Sequence, residues 1–156
     1  MPCRIMFVCH GNICRSPMAE FIMKDLLKKE NIDGVSVCSS ATSAEETGNP
    51  VYPPAKAELA RHGIGCAGKY AVQIKKSDYD RYDLFLVMDS NNLRNIMRIF
   101  GDDPRGKVHK LLEYADRSGD VADPWYSGRF DVAYADICEG CRGLLDYIKG
   151  AGYEVR

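Results

Sequence analysis

Apolar and polar positions along this chain switch between two periods. Ile5-Met6-Phe7-Val8, Val35-Ser36-Val37-Cys38, Leu84-Phe85-Leu86-Val87-Met88 and Val108 to Leu112 are short apolar runs that read as strands. The third is unbroken by polar residues, as in strands buried on both faces of a sheet. Between the runs the spacing changes to three and four. Ala19, Ile22, Met23, Leu26 and Leu27 form one helical stripe, with Lys24, Lys28 and Lys29 outside it. Pro53-Pro54 opens a short helix that ends at Gly63, and Asn91 to Phe100 is helical up to Gly101. Phe130, Tyr134, Ile137, Cys138, Cys141, Leu144, Leu145 and Ile148 share one face of a last helix. Ala71 to Ile74 carries the weakest strand pattern. Strands alternating with helices predict an α/β fold around a parallel sheet.

At 156 residues and 46% hydrophobic content, the chain fits one domain, 1–156, with a single substantial core. Twenty-one Lys plus Arg stand against 22 Asp plus Glu, and a net charge of -1 offers no basic surface for nucleic acid or anionic lipid. No apolar run is long enough to span a bilayer, and no signal-peptide pattern opens the sequence, so a monomeric cytoplasmic protein with no membrane partner is expected. Seven cysteines, an odd count without framework spacing, fit a reducing compartment.

The chemistry concentrates in Val8-Cys9-His10-Gly11-Asn12-Ile13-Cys14-Arg15-Ser16-Pro17, at the junction of the first strand and first helix. Ser16 reads as the helix N-cap and Pro17 as a first-turn proline, so the loop Cys9 to Ser16 lies over unpaired helix amides and the positive end of the macrodipole. Such a loop binds an anion and favours a thiolate at Cys9. Arg15 offers two parallel donors to a phosphoryl group. Gly11 permits close approach or a left-handed backbone, Asn12 tolerates positive φ, and the Ser16 hydroxyl reaches for the sulfur. In an open parallel sheet, this loop at a strand's carboxyl end is the expected ligand position.

Residues 113–129 form a long connection with little periodicity, of the kind that tends to carry function. It holds Asp123-Pro124-Trp125-Tyr126, an acid beside two flat aromatic walls. Asp116, Asp120 and Asp89 are competing acids on local sequence, but only Asp123 adjoins Pro and an aromatic pair. His10 faces the site entrance, His62 reads as a packed or capping residue, and His109 as a strand residue without a role. Cys138 and Cys141 fall on the buried helix stripe and read as core rather than as a redox pair.

These motifs, with Ser40-Ala41-Thr42-Ser43, Gly48-Asn49-Pro50, His62-Gly63-Ile64 and Met88-Asp89, resemble the low molecular weight protein tyrosine phosphatase family over nearly the whole chain. The resemblance implies a three-layer, doubly wound, flavodoxin-like sandwich around a central four-stranded parallel sheet. It implies hydrolysis of phosphotyrosine proteins or aryl phosphates, with Cys9 as nucleophile, Arg15 as phosphoryl clamp, and Asp123 as general acid and then base. The phosphate-binding loop would be Cys9, His10, Gly11, Asn12, Ile13, Cys14, Arg15 and Ser16. Ile13, Glu45, Trp125 and Tyr126 would line the substrate pocket, and Cys14 has a redox role in the family. No metal or cofactor is implied. An acid that must be protonated and a thiolate that must be ionised predict a bell-shaped pH profile with an acidic optimum.

Two positions depart from the family. Glu45, followed by Glu46, stands where many members have an aromatic wall, and a carboxylate there repels acidic peptides. After His62, Gly68 and Lys69 replace a second histidine that buttresses the loop asparagine. Arginine phosphatases and thiol-linked arsenate reductases share the loop. Ile13 is bulkier than the threonine of the former and crowds a guanidinium, and no relay cysteine lies between Cys66 and Cys138, as the latter require. A phosphotyrosine-binding module would leave the retention of Cys9, Arg15, Ser16 and Asp123 unexplained.

Overall fold

The computed structural model describes residues 2–151; Met1 and residues 152–156, the ends of the expected domain, lie outside the described residues. Four strands, β1 (Cys3–Cys9), β2 (Val35–Ala41), β3 (Leu84–Val87) and β4 (Val108–Lys110), form one parallel sheet in the order β2-β1-β3-β4. The helices are α1 (Arg15–Lys29), α2 (Pro53–Arg61), α3 (Ser90–Phe100), α4 (Pro124–Ser127) and α5 (Phe130–Gly150), with 3-10 turns at Lys76–Asp80 and Leu111–Ala115.

Alternation along β1 divides the interior. Ile5 and Phe7 pack with Met18, Ile22, Ile137 and Leu144 of α1 and α5, whereas Met6 and Val8 face the opposite way, with Ile96 and Phe100 of α3. Helices therefore cover both faces, giving the three-layer arrangement. The register sets Cys9 beside Ala41 and Val8 beside Val87, so the carboxyl ends of β2, β1 and β3 open on the same edge.

Four local expectations change. Helix α1 begins at Arg15, with Cys14 rather than Ser16 at the cap position and no side-chain cap bond, because the Ser16 hydroxyl is turned towards Cys9. Strand β4 stops at Lys110, and Leu111 and Leu112 enter a 3-10 turn that points both side chains into the core. Ala71 to Ile74 forms no full strand, only an isolated parallel bridge between Gln73 and Ala41. On α5, Cys141 is fully buried but Cys138 is only partly so, bonded to the Tyr134 hydroxyl.

The sharpest steric fit joins α5 to the 3-10 turn after β4. A Cβ on Gly143 would stand 1.8 Å from the Tyr114 carbonyl oxygen, so only glycine lets the helix backbone come this close. Gly143→Ala is expected to destabilise the fold by about 3 kcal/mol through overpacking. Thermal denaturation should show the midpoint falling by roughly 6–12 °C.

Candidate active site

Cys9 ends β1, and the chain then loops over the N-terminus of α1. Cys9 is 4% exposed, and its sulfur accepts the Asn12 N–H at 3.3 Å and lies 3.0 Å from the Ser16 hydroxyl. Asn12, at φ 59, takes the left-handed conformation that turns this amide inward. At Gly11 the issue is proximity instead: a Cβ there would meet Glu46 Cγ at 3.3 Å, a tight contact that the Glu46 side chain would have to relieve.

Arg15, in the first turn of α1, is 3% exposed along its side chain. One terminal nitrogen donates to Asp89 Oδ2 and to the Val121 carbonyl, each at 2.8 Å, and the other stands 3.5 Å from Asp123 Oδ2. Burial works against its charge, but the facing Cys9 and Asp89 prevail and raise its pKa above the ordinary guanidinium value. Asp123 caps α4, accepting the Trp125 N–H at 3.1 Å. Pro124 fixes the first helical residue behind it.

These groups line a cavity of about 210 Å³. Cys9, Cys14 and Arg15 make its floor, Ile13 and Asp123 its walls, and His10, Glu45, Glu46, Trp125 and Tyr126 its mouth. Its size suits a phosphoryl group and part of its ester rather than a large cofactor. At the mouth His10 Nε2 meets Glu45 Oε2 at 3.0 Å, both well exposed. Trp125 leans on Tyr52 with ring centroids 4.7 Å apart, while Tyr126 is 86% exposed.

The sequence pattern of the low molecular weight phosphotyrosine protein phosphatase family matches residues 4–152. The chain belongs to this family. It is 39% identical over 145 residues, 92% of each chain, to the low molecular weight protein-tyrosine-phosphatase PtpA of Staphylococcus haemolyticus. The crystal structure of YfkJ from Bacillus subtilis superposes with a TM-score of 0.93 at 34% identity, covering 97% of this chain and 98% of that one. The structure of a Drosophila arginine phosphatase superposes at 0.84 with 29% identity, covering 93% and 97%.

Within this family framework, Asn12 and Ser16 do not line the cavity; they hold Cys9 from behind. The Asn12 amide nitrogen donates to Ser16 Oγ at 2.7 Å and to Ser39 Oγ at 2.9 Å, and its oxygen accepts the Val72 N–H at 3.1 Å. Ser39 and the Val72 backbone thus brace the Asn12 amide, a support invisible in the sequence because both lie far from the loop along the chain.

The competing acids are engaged elsewhere. Asp89 caps α3 through the Asn92 N–H and holds Arg15. Asp120 pairs with Lys110 at 2.8 Å, and although burial opposes it, this lysine keeps its carboxyl below the usual range. Asp116, at φ 55, closes the turn Leu111–Ala115. The Cys14 thiol is pushed up to about 12 by burial and then by the charge of Cys9, so it stays protonated at neutral pH. His62 is the capping residue of α2, bonded to Glu58 at 3.0 Å and stacked on Tyr134 at 3.7 Å. His109 Nε2 lies 2.8 Å from the Gly106 carbonyl. Among the described residues, no cluster of His, Cys, Asp or Glu is arranged to hold a metal ion, and no helix is long and apolar enough to cross a membrane.

Sequence reading missed Glu46 as a mouth residue and Asp89 as the partner of Arg15. The second had a signal: Met88-Asp89 followed by Asn92 is a strand-to-helix capping pattern at the sheet edge that carries the loop.

Proposed function

We propose that this protein hydrolyses phosphotyrosine in proteins through a phosphocysteine intermediate on Cys9. The observation that carries the reading is the convergence of the Cys9 sulfur, the buried Arg15 guanidinium and the Asp123 carboxyl on one small cavity. In the first step the Cys9 thiolate attacks phosphorus in line, Arg15 binds two phosphoryl oxygens, the P–O bond breaks, and the Asp123 proton passes to the departing phenolate. Asp123, now a carboxylate, takes a proton from water, which attacks phosphorus and releases phosphate and the thiolate. Donors already aimed at the sulfur stabilise it as the leaving group.

Direction matters in that last step. Because Asn12 donates to Ser16 Oγ, the single Ser16 proton is free for the sulfur at 3.0 Å or for the Ser40 carbonyl at 3.4 Å, and the nearer acceptor is favoured. His10 and Gly11 present the loop's outer rim to the phosphoryl group, and Ile13, Trp125 and Tyr126 offer apolar surface to the phenyl ring.

Ile13 favours an aromatic ring over a branched guanidinium beside the phosphorus. Phosphate release from a phosphotyrosine peptide, a phosphoarginine peptide and a phosphoserine peptide of the same sequence is the decisive comparison. Turnover should be highest on phosphotyrosine and blocked competitively by vanadate, which takes trigonal-bipyramidal geometry on the sulfur. Preference for phosphoarginine would overturn the substrate assignment, and no turnover on any of the three would overturn the activity.

A further inference from the structure

Behind the phosphate loop lies a buried polar chain with a cation at its far end. Lys69, only 11% exposed along its side chain, donates to the Ser39 carbonyl at 2.9 Å and stands 3.7 Å from Glu20 Oε1. Glu20 and Ser39 are 5% and 2% exposed, and the Ser39 hydroxyl donates to the same Glu20 oxygen at 2.6 Å. Having given its proton to Glu20, Ser39 Oγ only accepts, and it does so from Asn12. With its two amide protons divided between Ser39 and Ser16, Asn12 leaves the Ser16 proton for Cys9.

Resting on the phosphocysteine reading above, we propose that Lys69 is a positioning residue that sets the direction of this chain and so the donor aimed at the Cys9 sulfur. A buried carboxylate costs several kcal/mol unless paired. Glu20 has two cations, Lys69 and the half-exposed Lys24, which bonds its other oxygen at 2.6 Å. Only Lys69 also holds the Ser39 backbone, and with it the spacing between β2 and the loop. Glu20 and Lys24 of α1, Cys38 of β2 and Cys9 of β1 are the charged and titratable groups that face its ammonium. Burial lowers the Lys69 pKa, with Glu20 and Cys38 opposing.

The test compares Lys69→Met, Lys69→Gln and Lys69→Arg with the unsubstituted protein, each also in a Ser39→Ala background that cuts the chain. Kinetics on p-nitrophenyl phosphate are read beside the pH dependence of Cys9 alkylation by iodoacetate. Lys69→Met should lower kcat about tenfold with KM nearly unchanged, as expected when a reacting group is slightly misplaced. Its alkylation profile should move to higher pH. Lys69→Arg should restore part of both, and the loss should shrink towards nothing once Ser39 is Ala. If Lys69→Met does not fold, Lys69→Gln is read in the same way. Unchanged kcat and alkylation in a folded variant, or equal losses with and without Ser39, would overturn the assignment. If the unsubstituted protein does not hydrolyse the ester, the phosphatase reading fails, while the alkylation profiles still decide the role of Lys69.

Discussion

Cys9→Ser is expected to lower turnover of aryl phosphates by roughly 10⁴-fold or more, the scale seen when a covalent catalyst loses its nucleophile. The argument starts from geometry. A serine oxygen in this place would keep the Asn12 and Ser16 bonds, so the substitution removes the reactive sulfur and little else. Among the described residues the site holds no histidine on the sulfur to act as a base for a hydroxyl, since His10 is turned out to Glu45. Phosphate affinity should survive because Arg15 and the loop amides are untouched. Stopped assays and equilibrium binding of inorganic phosphate, on the same preparation, measure the two separately. Retained turnover in the serine variant would remove Cys9 from the chemistry.

Asp123→Asn should be selective in its damage. A poor leaving group such as phenolate requires a proton as the P–O bond breaks, and there the loss should be about 10²–10³-fold. With p-nitrophenolate, which departs readily as an anion, the deficit in the first step should be far smaller. The pH profile gives an independent reading. Turnover by this route needs a thiolate at Cys9 and a proton on Asp123, so the asparagine variant should lose the limb of the profile that Asp123 contributes and keep the other. Equal losses on every leaving group would move the acid elsewhere. Asp89 and Asp120 are poor substitutes, held as they are by Arg15 and Lys110.

What the sequence made legible follows the range of the interactions involved. The strand Cys3–Cys9, the loop and α1 are local, and short-range rules of period, turn chemistry and helix start located them within a residue or two. The Ser16 cap was misread because a hydroxyl that fits a cap also fits a bond to sulfur, and tertiary proximity decided between them. Ser39 and Val72 bond Asn12, with Glu20 and Lys69 behind Ser39, and no spacing rule joins residues 12, 39 and 72. The isolated bridge at Gln73 is the trace of that convergence, a weak strand pattern recruited to brace a loop.

The segment bearing Asp123 is fastened at both ends and at Val121. It leaves the turn locked by Gly143, its Val121 N–H bonds the Met88 carbonyl at 2.9 Å while its Val121 carbonyl takes Arg15, and it ends where α5 begins. With Asp123 as the acid, little of a substrate's association free energy would be consumed in ordering this segment. Contacts with residues flanking the phosphorylated side chain would then act alike on ground state and transition state. Discrimination between one phosphoprotein and another would be written in KM, with the maximal rate nearly indifferent to what surrounds the tyrosine.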